Sequence, residues 1–463
     1  MIKGYLTIFG SILLMIVLGS VYTWSNINAY YISYLKFNDS PNIKLVDGFF
    51  LMPIIVYISD IAMFFGPILV EKYNFKRVIL LSLILTIFSH LILLFTTRLF
   101  VVYFAMIIFG IANGLSYISL PKNCWNYFPE KKGLLSGLIL FGYGISSLIF
   151  TWICESTVNK DFDKTDNEGY FSQEIANKMY EFIKKLNVIF VFLCAIGYFS
   201  IFDYETENKK ITKNSVNINK GNYHEINTNK HTPHKTSNNH LKYILLDVFS
   251  NRKIYQMIGM SFFTLYFLYM ITNTNRSFGQ INNLDENFLS NLSKTYSIVN
   301  GISRVIWGIL FDYFPFKKLM YYLLCIEIFI SLTVYYIGKY QFLYFIYIIV
   351  SGVLFAGIIV IIMPLYNKIY GEKYSSKIYG IAMGIYGFSC LLGPIVSKVV
   401  IKEKEDYKYV YLSGTIFSVI SLINVIKFDL KEFKYNNDLE ELERETFEDD
   451  NKNGQSEEFI EKI

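Results

Sequence analysis

Twelve blocks of about 17 to 30 mostly apolar residues dominate this chain, and each is long enough to cross a hydrocarbon core of roughly 30 Å as a helix. Inside lipid a backbone must satisfy its own hydrogen bonds, so such blocks form helices. They lie near residues 5–35, 47–70, 78–97, 100–121, 134–154 and 187–203, and then near 254–273, 295–313, 319–338, 341–364, 379–400 and 409–427. The pattern is six helices, a polar gap and six more. With 53% hydrophobic and 17% charged residues, the composition is that of a membrane protein.

The first block has no small-residue cleavage site and reads as a retained helix, not a signal peptide. Cys124, Cys154, Cys194, Cys325 and Cys390 are scattered through apolar segments without paired spacing, which points to packing and not to disulfides or metal. No nucleophile, metal or phosphate-loop constellation is present, so neither an enzyme nor a resident cofactor is expected, and nothing points to nucleic acid. Lys3, Lys72, Lys76, Arg77, Lys122, Lys131 and Lys132 fall at one end of the helices, joined by nine basic residues between 204 and 253. The positive-inside rule then places both termini in the cytoplasm, although the loop 155–186 on the opposite side holds five lysines itself. Sequons at Asn38, Asn275 and Asn291 are expected in loops of that opposite side.

The chain divides into an N-terminal six-helix bundle (1–203), a linker (204–253), a C-terminal bundle (254–428) and an acidic tail (429–463). The linker is rich in Asn, Lys, Thr and His and lacks the apolar surface needed to fold; its His231, His234 and His240 read as polar filler.

An internal repeat organises the two bundles. "EKYNFKR" (71–77) follows the second helix and "DYFPFKK" (312–318) follows the eighth, at an offset of 241 residues. "GLLSG" (133–137) and "GIAMG" (380–384) open the fifth and eleventh helices, each after a helix expected to end at a proline, Pro121 or Pro364. Two parallel six-helix halves with a site between them at midplane is an architecture of secondary transporters. Glu71, Lys72, Lys76, Arg77, Asp312, Lys317 and Lys318 form the two repeated loops. They serve either as topology anchors or as a latch that breaks when the halves rock. Asn74 is expected to take a left-handed turn conformation.

"LGSVYTWS" (18–25), "WNYFPEKKGLLSGLILFGYG" (125–144) and "NGISRVIWGILFD" (300–312) resemble signatures of the major facilitator superfamily, and within it of the oxalate/formate antiporter and monocarboxylate transporter group. The resemblance implies an all-α fold of twelve transmembrane helices in two pseudo-repeated bundles that alternate access around a central anion site. It implies a carboxylate ligand at Arg304, whose planar guanidinium suits that role. It also implies cavity-lining tyrosines at Tyr117 and Tyr143. Tyr386 falls where oxalate carriers keep a second cation, and Asn300 where proton-coupled monocarboxylate carriers keep an acid. One fixed positive charge favours a monocarboxylate of the pyruvate or lactate kind over a dicarboxylate.

Phe355 and Trp24 are further candidates for the lining. Asp60, inside the second helix, maps through the repeat onto position 301, one turn from Arg304, and is the candidate for proton coupling or for a counter-ion. His90 and Glu327 lie in peripheral helices, where hydrogen-bonded structural roles are expected. The expected function is therefore secondary transport of a small organic anion by symport or exchange, with protons as a coupling partner. Alternatives are an oxalate/formate-type exchanger, a carrier of neutral amino acids or other nutrients, and a non-transporting sensor. The protein is expected to act as a monomer in the plasma membrane or in an organelle membrane such as that of a plastid-type organelle.

Overall fold

The computed structural model describes residues 2–428, apart from 39–41, 49, 162, 164, 167–169, 205, 207–251 and 402–403. The acidic tail, nearly all of the linker and its three histidines lie outside the described residues. All regular structure among the described residues is helical.

Twelve long segments carry the fold. The first half comprises α1 (Ile2–Asn26), the bent α2 (Leu51–Ala62 with Phe65–Tyr73), α3 (Phe75–Ile92), α4 (Leu99–Tyr127), α5 (Lys132–Val158) and α6 (Met179–Ser200). The second comprises α7 (Arg252–Ile281), α8 (Glu286–Tyr313), α9 (Phe316–Ile337), α10 (Gln341–Gly371), α11 (Tyr374–Ser397) and α12 (Tyr407–Lys427). Ten of these are long and apolar enough to cross a membrane alone, and the bent α2 makes eleven. The remaining segment is α8, whose 28 residues span about 42 Å, ample for a crossing. It is less apolar because Lys294, Arg304, Asp312 and a run of Ser and Asn interrupt it. The helix that carries the central charge is the one that least resembles a lipid-soluble helix.

Large apolar side chains cover the outside of the bundle, with Phe192 64%, Phe329 59% and Ile84 55% exposed, as lipid contact requires. Buried faces carry hydroxyls that bond between helices, such as Thr264 of α7 against Ser421 of α12 at 2.9 Å. Glu327 accepts from Ser418 at 2.5 Å, and His90 Nδ1 lies 2.9 Å from the Thr86 carbonyl, so both are tied down inside their halves. All five cysteines are free, four of them buried.

Proline places two of the breaks. A proline cannot donate to the carbonyl four residues back and crowds it. Pro67 accordingly bends α2 by 49° just after Ala62, and Pro121 interrupts α4 at Ile118. Neither Pro121 nor Pro364 ends its helix as the sequence pattern implied: α4 resumes to Tyr127 and α10 runs on to Gly371, because packed membrane helices re-satisfy the freed groups. The stop after α10 is Gly371, at φ 69°, a conformation costly to any residue with a Cβ. Asn74 has φ 82°, and its side chain accepts from the Lys76 amide. Asn275 and Asn291 lie inside α7 and α8, not in loops, and Asn38 closes the short helix Asn28–Asn38.

The halves meet along α5–α8 and α2–α11. A Cβ on Gly137 would sit 2.5 Å from the Arg304 carbonyl oxygen and 2.9 Å from Val305 Cα; one on Gly144 would sit 2.9 Å from Gly301 Cα. Gly380 approaches Phe64 across α2–α11 in the same way, with a Cβ 2.6 Å from its Cα. Small residues let membrane helices pack this closely, and the "GLLSG" and "GIAMG" repeats supply them at equivalent places in the two halves. Gly137→Val should lower stability by about 1–3 kcal/mol through overpacking, read as a lower unfolding temperature in detergent; an unchanged value would contradict this contact.

Candidate functional site

A change of helical pitch builds the first wall. α1 tightens into a 3₁₀ turn at Gly19–Tyr22, and Gly19 presses on the backbone of Tyr143 in α5. Tyr22 is thereby set against Tyr143, with ring centroids 5.5 Å apart, and against Phe355 of α10 at 6.0 Å. Residues two apart on a helix diverge by about 200°, so Tyr22 and Trp24 cannot share a face. Trp24 packs instead on Tyr31 and His90 inside the first half, away from the cavity, contrary to the expectation for it.

Tyr117 meets Tyr143 edge to face at 5.2 Å, and the Arg304 guanidinium lies 5.6 Å from the centre of the Tyr143 ring. Arg304 is 0% exposed. Its Nε donates to Asn300 Oδ1 at 3.2 Å, its Nη1 donates to the Leu140 carbonyl across the interface at 3.2 Å, and its Nη2 has no partner. The hydroxyls of Tyr22 and Tyr117 are directed at the same guanidinium. Asn300 is pinned in turn by donating to the Gly352 carbonyl at 2.9 Å. Every one of these partners is neutral.

A cavity of about 510 Å³, open mouth included, runs from Tyr22, Asn300 and Phe355 outward past Thr272, Tyr296 and Ser293. It opens at the end opposite the basic loops. Of the residues expected to line it Phe355 does, whereas Arg304, Tyr117, Tyr143 and Tyr386 do not border it; the Tyr386 hydroxyl is bonded to Tyr366 at 2.7 Å. Asp60 is 3% exposed, packs on Gly387 of α11, and has an unpartnered Oδ2. Among the described residues no ion pair joins it to Arg304, so the counter-ion role is not exercised in this conformation.

At the basic end the repeated loops close the bundle. Asp312 accepts from the Gly133 and Leu134 amides at 3.1 and 3.0 Å, a carboxylate from the second half capping the first turn of α5. Glu71 pairs with Lys377 at 2.7 Å, Lys122 donates to Ser376 and Lys132 to Asn367, each link crossing between halves. The other loop cations stay within their own half. Lys72 lies over Tyr73, Lys76 over Tyr198 and Phe202, and Lys318 over Phe314, while Lys317 donates to the Ile426 carbonyl and Arg77 is exposed.

The helix topology, two six-helix halves around this site, matches solved structures across nearly the whole chain. The proton:xylose symporter XylE aligns at a TM-score of 0.63 with 14% identity, covering 91% of this chain and 95% of that one. A bacterial homologue of the iron transporter ferroportin in its outward-facing state aligns at 0.62 with 12% identity, covering 92% and 98%. A sequence profile of the Major Facilitator Superfamily matches residues 255–448. The fold is that of the Major Facilitator Superfamily.

The profile covers the second half of the chain, and the length and apolarity of the helices are those of an integral membrane protein. Two curated relatives share part of the chain. An uncharacterized MFS-type transporter of Escherichia coli (strain K12), YhjX, is 33% identical over 150 residues, and apicoplast pyruvate carrier 1 of Toxoplasma gondii is 29% identical over 185 residues. Each match covers 32% of this chain, and the matches span only 36% and 34% of the relatives' own lengths.

Three features escape the sequence pattern. Tyr22 is hidden by the pitch change in α1. Lys377 lies outside both repeated loops. At the far end Glu155 of α5, only 6% exposed, pairs with Lys294 of α8 at 2.7 Å and accepts from Ser290 at 2.9 Å, a link between residues 139 apart in sequence. For the basic end, Asp312→Ala removes a helix cap worth about 0.5–2 kcal/mol and should raise the population opened there by about 2- to 30-fold. The measurement is the labelling rate of a Ser376→Cys reporter by a water-soluble maleimide, and an unchanged rate would mean that the cap does not hold this end shut.

Proposed function

We propose that the chain is a secondary active transporter of a small organic monocarboxylate, pyruvate- or lactate-like, working by alternating access. The observation that carries this is the Arg304 guanidinium: fully buried, held by neutral groups, with Nη2 left unpartnered beside two tyrosine hydroxyls. A buried cation without a counter-charge is costly, and a carboxylate completes it with charge-assisted hydrogen bonds. One such cation matches one carboxylate. The partial likeness to a carrier named for pyruvate adds weight to the same substrate class.

In this reading the substrate enters through the cavity, passes the Tyr22–Phe355 pair and binds Arg304 with Tyr117 and Tyr143 as hydroxyl donors. Neutralising the guanidinium lets the far end close. The Asp312 cap and the Glu71–Lys377 pair then break as the halves rock, while the Glu155–Lys294 pair, already made between α5 and α8, persists. Asp60, on the α2–α11 interface that moves in this step, takes the proton when a pH gradient drives uptake. The basic loops and both termini face the cytoplasm, and a monomer suffices, in the plasma membrane or an organelle membrane.

Proteoliposomes holding the purified protein should take up labelled pyruvate or lactate, and Arg304→Ala should lose about 30-fold or more in kcat/KM, as follows when one partner of a buried charge pair is removed at 2–5 kcal/mol. No movement of pyruvate, lactate, formate or oxalate under any gradient would sink the reading. Asp60→Asn should abolish uptake driven by a pH gradient while leaving exchange intact; a native pH dependence in that variant would remove Asp60 from coupling.

A further inference from the structure

Asn113 sits midway along α4, 0% exposed, between Gly110 and Gly114, which pack against the backbone of α2. Its amide uses both ends, and every partner is on a different helix. Nδ2 donates to the Leu18 carbonyl of α1 at 2.9 Å and to the Tyr143 hydroxyl of α5 at 3.3 Å, while Oδ1 accepts from Ser59 of α2 at 3.4 Å. Leu18 is the last residue before the 3₁₀ turn that aims Tyr22, and Ser59 is the neighbour of Asp60.

The direction of these bonds has a chemical consequence. A carbonyl only accepts, so Leu18 fixes which side of the amide carries the NH₂ group. That NH₂ also faces Tyr143, whose hydroxyl must therefore accept. A hydroxyl has one proton and can accept and donate at once. With its lone pair engaged by Asn113, Tyr143 keeps its proton for another acceptor, and its ring already lies beside Arg304.

We infer that Asn113 is a positioning residue of the anion site: locked by Leu18, it turns the Tyr143 hydroxyl into an obligate donor toward the substrate carboxylate and ties that donor to the helix of Asp60. The inference rests on the transport reading above and adds to it a residue that never touches substrate. It also accounts for a buried, fully bonded amide at the meeting point of α1, α2, α4 and α5. The Ser59 contact, the longest of the three, is the one through which a change at Asp60 reaches the tyrosine.

The test is uptake of labelled pyruvate or lactate by proteoliposomes carrying Asn113→Leu, Tyr143→Phe and the pair together, with KM and kcat measured separately. If Asn113 acts through Tyr143, each single variant raises KM about tenfold with kcat within about twofold, and the double variant is no worse than either, because coupled groups are not additive. Asn113→Ser, too short to reach Tyr143, reproduces the KM rise should the leucine variant fail to fold. A native KM in Asn113→Leu or Asn113→Ser, or effects that multiply in the double variant, overturns the inference. Native transport lost in Arg304→Ala but untouched in the Asn113 variants sinks this inference alone, whereas a native protein that moves no monocarboxylate sinks it together with the transport reading.

Discussion

A single buried guanidinium sets the terms for the rest of this structure. Arg304 is 0% exposed, no carboxylate among the described residues pairs with it, and what holds it is an amide oxygen, a carbonyl and the face of an aromatic ring, with two tyrosine hydroxyls nearby. Each compensates part of the charge and none neutralises it. Such a cation is tolerable in a membrane protein only in the interior of the bundle, beside a polar cavity, and there it waits for an anion. The glycines at 137, 144 and 301 serve this placement, because they bring α5 close enough for its Leu140 carbonyl to share in holding an arginine from the other half.

The two halves are joined most tightly along the α5–α8 seam that holds the charge. At one end of the seam Asp312 caps α5; at the other Glu155 takes Lys294. These contacts are short and polar, whereas the middle of the seam is largely backbone against glycine, crossed by the Arg304–Leu140 and Ser147–Ser297 bonds. The Asp312 cap can exchange for water when its end opens, while the middle keeps those two bonds between the halves. That division suits rocking about the centre.

Much of this was legible in the residues. Helix number and order follow from hydropathy, since a membrane core enforces length and internal hydrogen bonding. The 241-residue repeat exposes the two halves, and it picked out Glu71 and Asp312, both of which reach across to the opposite half. Arg304 stands out because a charge in an apolar run needs a reason. Orientation around a helix is less legible. Trp24 and Tyr22 differ only by phase, which a four-residue 3₁₀ turn decides. Tyr386 has the right depth and composition, yet its hydroxyl is taken by Tyr366. Nothing local marks Asn113, an amide whose partners lie 30, 54 and 95 residues away.

By itself, then, the sequence determined the class of molecule, the twelve-helix plan, the duplication and the one charge that lipid would reject, since these depend on transfer energies and on periodicity along the chain. Only the tertiary structure decided which side chains surround that charge, which acids cross between halves and which way the cavity opens. Those depend on helix rotation and on contacts between segments far apart in sequence, quantities that a one-dimensional pattern does not encode.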